Sequence, residues 1–230
     1  MVAMLALLSV TQIDPSATTT YAQILKKSVA KGRVDYQVVA NMREDLDRYL
    51  AAVAKAQAPK SKPKAVAFYI DAYNALVLAA VLDAGTPKSV LGVDKFFKKK
   101  SHRVSGKLVS LDQLEKEILN PLAADPRTHM VLVCAAKGCP VLEPRPYTGT
   151  KLERRLEAAS VRYVRSRAGS RVKPNALSVS KIFEWYQDDF GGKEAAISFV
   201  TDRLTPQQRT TLGDSPQVSY HDYNWTLNRQ

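Results

Sequence analysis

The sequence predicts an α+β fold in a single domain. Apolar and amphipathic helical patterns alternate irregularly with short strand patterns, without a strand–helix–strand repeat. The chain has 230 residues, 45% of them hydrophobic and 24% charged, so one domain with a sizeable core is expected. We expect a buried central helix that packs on a small, largely antiparallel sheet.

The first part of the chain is predicted to be mainly helical. Residues 21–31 form an amphipathic pattern that a glycine stops, and residues 43–57 begin with acidic side chains, as the helix dipole favours. Residues 64–85, KAVAFYIDAYNALVLAAVLDAG, are apolar nearly all round and predict the buried central helix. Its polar exceptions, Asp71 and Asn74, must find hydrogen-bond partners inside the fold.

The rest of the chain mixes helices with short strands. Residues 102–110 predict a hairpin that turns at Ser105–Gly106, and Ser110 is suited to cap the helix that follows. Residues 129–134, HMVLVC, are apolar on both faces and predict a central strand. Further elements are predicted as a basic helix over 152–167, a strand over 175–180, helices over 181–191 and 195–204, and a terminal strand over 218–225.

The first residues indicate export. MVAMLALLSV has the length of the apolar core of a signal peptide, although basic residues before it and a clear cleavage site are lacking. An apolar helix packed on the domain is the alternative. We interpret residues 1–19 as an apolar leader remnant or N-terminal extension and residues 20–230 as the domain, and we expect a periplasmic or secreted bacterial protein.

The charge of the chain predicts anionic partners without choosing among them. Lys and Arg number 34 against 22 Asp and Glu, a net charge of +12. A cell-wall polymer, a membrane surface or nucleic acid all fit this charge, but the basic run 95–103 is more typical of a solvated loop than of a nucleic-acid contact. No glycine-rich phosphate loop is present, so we expect no nucleotide and no cofactor, and we expect a monomer.

The two cysteines, Cys134 and Cys139, allow three interpretations. A disulfide would close a very small loop and add little stability through loop entropy. A zinc site lacks a second ligand pair, because the three histidines are scattered, and no metal is expected. In the third interpretation Cys134 is a small buried hydrophobe and Cys139 is reactive, its pKa lowered by free backbone N–H groups and by Lys137. The same N–H groups could form an oxyanion hole.

Six segments in one order resemble the family known as domain of unknown function 547. They are GRVDY (32–36), FYIDAYNAL (68–76), GKLVSLDQLEKEIL (106–119), DPRTHMVLVCAAKGCPVL (125–142), SKIFEWYQDDFG (180–191) and YNWTLN (223–228). The resemblance covers roughly residues 20–228, and 125–142 is its most specific part. It implies a fold related to papain-like or transglutaminase-like Cys-His enzymes.

The resemblance also assigns residues. Cys139 corresponds to the loop cysteine of the family, His129 to the histidine before the strand, and Glu115 to the glutamate in the helix after the hairpin. Asn74 corresponds to the asparagine of the AYNA helix. Many members have a histidine where this chain has Lys116, so one possible participant in the chemistry is missing here.

These observations predict a thiol hydrolase or acyltransferase that acts on amide or peptide-like bonds without a cofactor. Cys139 would attack a carbonyl and His129 would shuttle the proton, while Glu115 or Asn74 would hold the tautomer of that histidine. A fully extended 129–134 segment would place His129 about 17 Å from Cys134. The two other histidines, His102 and His221, are therefore kept as rival bases.

Two further expectations accompany this hypothesis. A non-catalytic module that binds an anionic partner through its basic surface is the alternative function, favoured by Lys116 and by the net charge. The buried amide of Asn74 is expected to bond within the 134–140 loop or to the base histidine, and so to hold the thiol in place.

Overall fold

The computed structural model describes residues 12–230, which form one α+β domain and confirm the predicted fold class. Its α-helices are α1 (Pro15–Ser28), α2 (Tyr36–Asn41), α3 (Arg43–Lys55), α4 (Lys62–Asp83), α5 (Leu111–Gln113), α6 (Asn120–Ala123), α7 (Leu152–Val164), α8 (Ile182–Trp185), α9 (Lys193–Arg203) and α10 (Pro206–Leu212). A π-helix, Leu114–Leu119, joins α5 to α6. Turns of 3-10 helix lie at Val90–Gly92, Pro126–Met130, Gly149–Lys151 and Gln187–Phe190.

The strands are short and form separate sheets. They are β1 (Val29–Ala30), β2 (Arg33–Val34), β3 (His102–Val104), β4 (Lys107–Val109), β5 (Ser170–Lys173), β6 (Ala176–Ser180) and β7 (Gln217–His221). The pairs β1–β2 and β3–β4 are antiparallel hairpins, while β5, β6 and β7 form a sheet in that order. Only the β6–β7 pairing is parallel among the described strands, so pairing is largely antiparallel, but three small sheets replace the one expected.

Helix α4 is the central helix, as predicted. Fifteen of its 22 residues are buried, so apolar side chains cover nearly its whole circumference. It is long and apolar enough to cross a membrane, yet 83% of its most apolar stretch lies inside the fold, which is typical of a core helix. Its most extensive contacts are with α3, the π-helix, α6 and the 3-10 turn Gly149–Lys151, so helices more than strands surround it.

The hairpin β3–β4 confirms the turn expected at Ser105–Gly106. Both residues have positive φ, 50° and 77°, which suits a two-residue hairpin turn. Their N–H groups donate to the carbonyls of Val53 and Ala54 and so fix the hairpin to the end of α3. Ser110 caps the next helix as predicted, because it exchanges hydrogen bonds with Gln113 in a capping box.

The first and the eighth helices differ from the prediction. α1 begins at Pro15 rather than at residue 21 and ends at Ser28, because Lys31 and Gly32 both adopt positive φ and turn the chain into β2. Residues 15–19 therefore belong to a folded helix, while residues 1–11, which carry most of the leader interpretation, lie outside the described residues. The pattern over 181–191 divides into α8 and a 3-10 turn.

The strand predicted over 129–134 is wrong. Residues Pro126–Met130 form a 3-10 helix, and the apolar residues after it are buried but irregular. Their backbone pairs with a side chain of α4 instead of a strand: Asn74 Nδ2 donates to the Val131 carbonyl at 3.0 Å, and Asn74 Oδ1 accepts from the Val133 N–H at 2.9 Å. An apolar run predicts burial, and burial alone does not require a sheet.

Both polar side chains of α4 thus have partners. Asn74 binds the backbone just before the 134–140 loop, rather than the loop itself or a histidine. Both carboxylate oxygens of Asp71 accept the Tyr147 N–H, at 3.1 and 2.9 Å. Burial raises the pKa of Asp71 well above its usual range, although this hydrogen bond and the charge of Arg155 act in the opposite direction.

We predict that Asn74→Ala destabilises the fold strongly, because it leaves a buried carbonyl and a buried N–H without partners. The expected loss in the free energy of unfolding is about 1–3 kcal/mol for each group. Urea denaturation measures it, with Asn41→Ala at the exposed end of α2 as the control. Equal stability of the two variants would contradict the role assigned to Asn74.

Candidate active site

A cavity of about 180 Å³ brings both thiols together with the predicted acid and histidine. Cys134 and Cys139 line one side of it, and Glu115 and His129 line another. The remaining wall is largely aromatic and is contributed by Tyr73, Phe97, Trp185, Tyr186, Tyr223 and Trp225. Because 129–134 is not extended, the separation expected for a strand does not arise.

The two sulfur atoms lie 2.7 Å apart, and both cysteines are free. The loop between them turns sharply: Ala135 has a φ of 61°, and the Cys139 N–H donates to the Ala136 carbonyl. The Cys134 N–H donates to Cys139 Sγ at 2.8 Å. The Tyr223 hydroxyl lies 3.1 Å from Cys134 Sγ, which places this tyrosine on the first thiol.

The environments of the two thiols differ in a way that the sequence did not predict. Cys139 is only 7% exposed, whereas Cys134 is partly exposed. Burial acts to raise the pKa of Cys134, but hydrogen bonds from Cys139, Tyr223 and the Ala136 N–H outweigh it, so this pKa is lowered. Burial and the neighbouring Cys134 raise the pKa of Cys139 well above its usual range. Cys134 is therefore the thiol better suited to attack.

His129 is held by two carboxylates and an aromatic ring. Its Nε2 lies 2.7 Å from Asp189 Oδ2, and its Nδ1 lies 3.7 Å from Glu115 Oε1. The imidazole stacks on Tyr186 with ring centroids 3.9 Å apart. Across residues 12–230, no hydrogen bond joins an imidazole to either thiol, so His129 shares the cavity with the cysteines without a hydrogen bond to either.

Glu115 lies in the π-helix, one of the rare wide turns that are frequent at functional sites. Its side chain is buried, in agreement with the expected approach to His129. Lys116 is exposed and forms an ion pair with Asp112 at 3.7 Å. It lines an open cleft of about 710 Å³ together with His129 and Asp189, next to the thiol cavity.

Most N–H groups of the cysteine loop are occupied. Those of Lys137 and Gly138 donate to the carbonyls of Thr226 and Asn224, and that of Cys139 donates to Ala136. Those of Cys134 and Ala136 point to the thiols. Within residues 12–230, the Ala135 N–H is the one donor of this loop without a hydrogen-bond partner, so the expected oxyanion hole is reduced to that group, and the Tyr223 hydroxyl lies 3.1 Å from Cys134 Sγ.

Residues 223–228 clamp this loop. In addition to the bonds from Lys137 and Gly138, the Asn228 N–H donates to the Ala135 carbonyl, and Ala136 pairs with Leu227 as an isolated bridge. Gly138 has no room for a side chain, since a Cβ there would lie 2.9 Å from the Asn224 nitrogen. The cysteine loop and residues 223–228 are therefore joined by backbone hydrogen bonds and packed closely against each other.

Other predicted residues lie elsewhere. Lys137 lines a second cleft, of about 380 Å³, behind the loop, and is absent from the thiol cavity. His221 also lines that cleft, where its Nε2 lies 3.0 Å from the Ala168 carbonyl. His102 belongs to β3, and burial lowers its pKa. Of the three histidines, only His129 lines the cavity with both cysteines.

Sequence reasoning missed Asp189 and Tyr223. Both lie in aromatic-rich segments, EWYQDDF and YHDYNW. Trp185 and Trp225 of these segments stack with ring centroids 5.8 Å apart at the cavity, and Trp185 is 46% exposed. An acidic pair within an aromatic segment was the available signal, but only the fold shows that it faces His129.

Residues 58–164 match the family model described as Protein of unknown function, DUF547. These residues belong to the DUF547 family. The matched DUF547 segment contains the two cysteines, His129, Glu115 and Asn74, whereas Asp189 and Tyr223 lie beyond it. No curated protein and no solved structure matches the chain. The relation to papain-like or transglutaminase-like enzymes stays a prediction.

We predict that iodoacetamide modifies Cys134 of the native protein much faster than Cys139. The pH at which the rate reaches half its plateau should be lower than for the same protein unfolded in urea, because the Cys134 pKa is lowered in the fold. Peptide mapping by mass spectrometry after short exposures identifies the modified thiol. Preferential modification of Cys139 would restore the assignment made from the sequence.

Proposed function

We propose that the protein is a cofactor-free thiol hydrolase or acyltransferase for amide or peptide-like bonds, with Cys134 rather than Cys139 as the attacking thiol. The observation that carries the proposal is the setting of Cys134. It lines an aromatic cavity, it is the more exposed of the two thiols, and hydrogen bonds lower its pKa. A thiolate held by such donors needs no histidine in direct contact to be nucleophilic.

The neighbouring residues have distinct roles in this proposal. The thiolate of Cys134 attacks the carbonyl carbon, and the Tyr223 hydroxyl, 3.1 Å from the sulfur, turns its hydrogen bond to the oxygen that gains charge. His129, whose ring Glu115 and Asp189 orient, donates a proton to the leaving nitrogen as the C–N bond breaks. Water or an acceptor amine then attacks the Cys134 thioester, gives a proton back to His129 and releases the thiolate. The aromatic walls and the volume of about 180 Å³ suit one apolar side chain or a short acyl group.

We predict that Cys134→Ser abolishes turnover of a responsive fluorogenic amide or ester, whereas Cys139→Ser retains most of it. Tyr223→Phe should lower kcat about 100-fold with a small change in KM, because the lost donor acts mainly on the developing oxyanion. A substrate panel assayed with purified variants of equal thermal stability measures these effects. Full activity of Cys134→Ser would overturn the assignment.

A second candidate function, the binding of an anionic partner, is favoured by the cleft of about 380 Å³ behind the loop. Six Lys and Arg side chains line it together with Asp222: Lys31, Arg33, Lys137, Arg162, Arg167 and Arg171. Arg162 is paired with Glu143, but no carboxylate of the described residues lies within 4.0 Å of the basic groups of the other five, whereas Arg43, Arg127 and Arg155 elsewhere are paired with acids. Unpaired charges in a concave site attract anions and increase their local concentration.

We predict that changing Lys137, Arg167 and Arg171 to Gln weakens binding to a fluorescent polyphosphate at least tenfold and reduces the salt dependence of binding. A matched control changes Lys98, Lys99 and Lys100 to Gln, which removes the same charge from the exposed basic run. Fluorescence anisotropy across a salt series measures both. Equal losses in the two variants would show that net charge, not the cleft, determines binding.

A further inference from the structure

Cys139 does not attack the substrate in the proposed carbonyl chemistry, where it acts only through its hydrogen bond to Cys134, yet its position is closely specified. Its sulfur accepts the Cys134 N–H at 2.8 Å and lies 3.7 Å from the Leu132 carbonyl. It is 7% exposed and so is less accessible than Cys134, although it lines the same cavity. The one reactive group within its reach is the sulfur of Cys134, at 2.7 Å.

We propose that Cys134 and Cys139 form a catalytic dithiol that exchanges with small disulfides that enter the aromatic cavity. The inference goes beyond the acyl chemistry and shares with it only the assignment of Cys134 as the attacking thiol. The sulfur atoms are already closer than two unbonded sulfurs normally approach, and a bond needs a separation of about 2.05 Å. The loop therefore needs only a small shift to form the bridge.

The division between an exposed and a buried thiol matches the two steps of exchange. The Cys134 thiolate attacks one sulfur of a disulfide RSSR, which forms a Cys134–SR bond and releases RS⁻. Cys139 then attacks Cys134 Sγ, which forms the intramolecular disulfide, and its proton goes to the second RS⁻ as it leaves. Two protein thiols are oxidised and one RSSR is reduced to two RSH, and an external small thiol reverses the sequence.

The surrounding backbone favours exchange. Attack on a carbonyl creates an oxyanion that needs donors, and the N–H groups of Cys134, Lys137, Gly138 and Cys139 are already occupied. Exchange between sulfurs creates no oxyanion and depends on thiolate character, the leaving thiol and access. The Tyr223 hydroxyl increases the thiolate character of Cys134 directly, because it forms a hydrogen bond with Cys134 Sγ.

The test reacts reduced protein with oxidised glutathione and follows it by intact mass and by the thiol released. Wild type should lose two hydrogen atoms and release two glutathione molecules, and digestion should give a peptide linked from Cys134 to Cys139. Cys139→Ser should stop at one bound glutathione on Cys134, with one glutathione released. Cys134→Ser should react at least tenfold more slowly than wild type.

Two measurements keep the result distinct from that of the proposed function. Cys139→Ser should lose formation of the internal disulfide but keep measurable amide or ester turnover, because its hydroxyl can still bond to Cys134, whereas Cys134→Ser should lose both. Cys139→Ala, compared with Cys139→Ser by circular dichroism and thermal unfolding, separates a loss of the thiol from a loss of folding. A stable mixed disulfide in wild type, with no internal bridge, would overturn the proposal.

Discussion

The amide of Asn74 takes the place that a neighbouring strand would have. Residues 131–133 pass through the core without regular structure, and their backbone groups would be costly to leave unpaired there. One side chain satisfies the carbonyl of Val131 and the N–H of Val133 together. Since His129 precedes this segment and Cys134 follows it, this one contact with α4 sets the position of both.

The site is completed by parts of the chain that are far from this contact in sequence. Asp189 reaches His129 from the 3-10 turn after α8, and Tyr223 reaches Cys134 from the residues after β7. The Tyr163 hydroxyl of α7 donates to the Gly138 carbonyl at 2.8 Å and anchors the cysteine loop from a third direction. The buried segment 131–133, which is held by α4, thus supplies the centre of the candidate site, and elements later in the chain supply the walls of the cavity.

The sequence was most informative where a local pattern determines the structure. The apolar circumference of α4, the positive-φ turn at Ser105–Gly106 and the cap at Ser110 depend on nearby residues, and all three were predicted. The failure at 129–134 has the opposite cause. Whether this segment becomes a strand depends on whether a neighbouring strand or a side chain supplies its hydrogen bonds. The side chain that does so, Asn74, lies 57 positions away from Val131.

The same reasoning explains which part of the candidate site was found. The residue types, Cys, His, Glu and Asn, were identified from motifs and do share a region of the fold. The relative exposure of Cys134 and Cys139 depends on tertiary packing, so the sequence could not rank the two thiols. Asp189 and Tyr223 were missed because neither lies within 50 residues of its partner in sequence.

The bonds between residues 223–228 and the cysteine loop determine when the cavity can form during protein synthesis. Because the chain is synthesised from its N-terminus, Cys134 is made 89 residues before Tyr223. Until residues 224–226 are also made, the N–H groups of Lys137 and Gly138 do not have the carbonyls to which they donate in the folded protein. Contacts of such long sequence separation form late in folding. The hydrogen bond from Tyr223 that helps to lower the pKa of Cys134 therefore forms only after nearly the whole chain has been made.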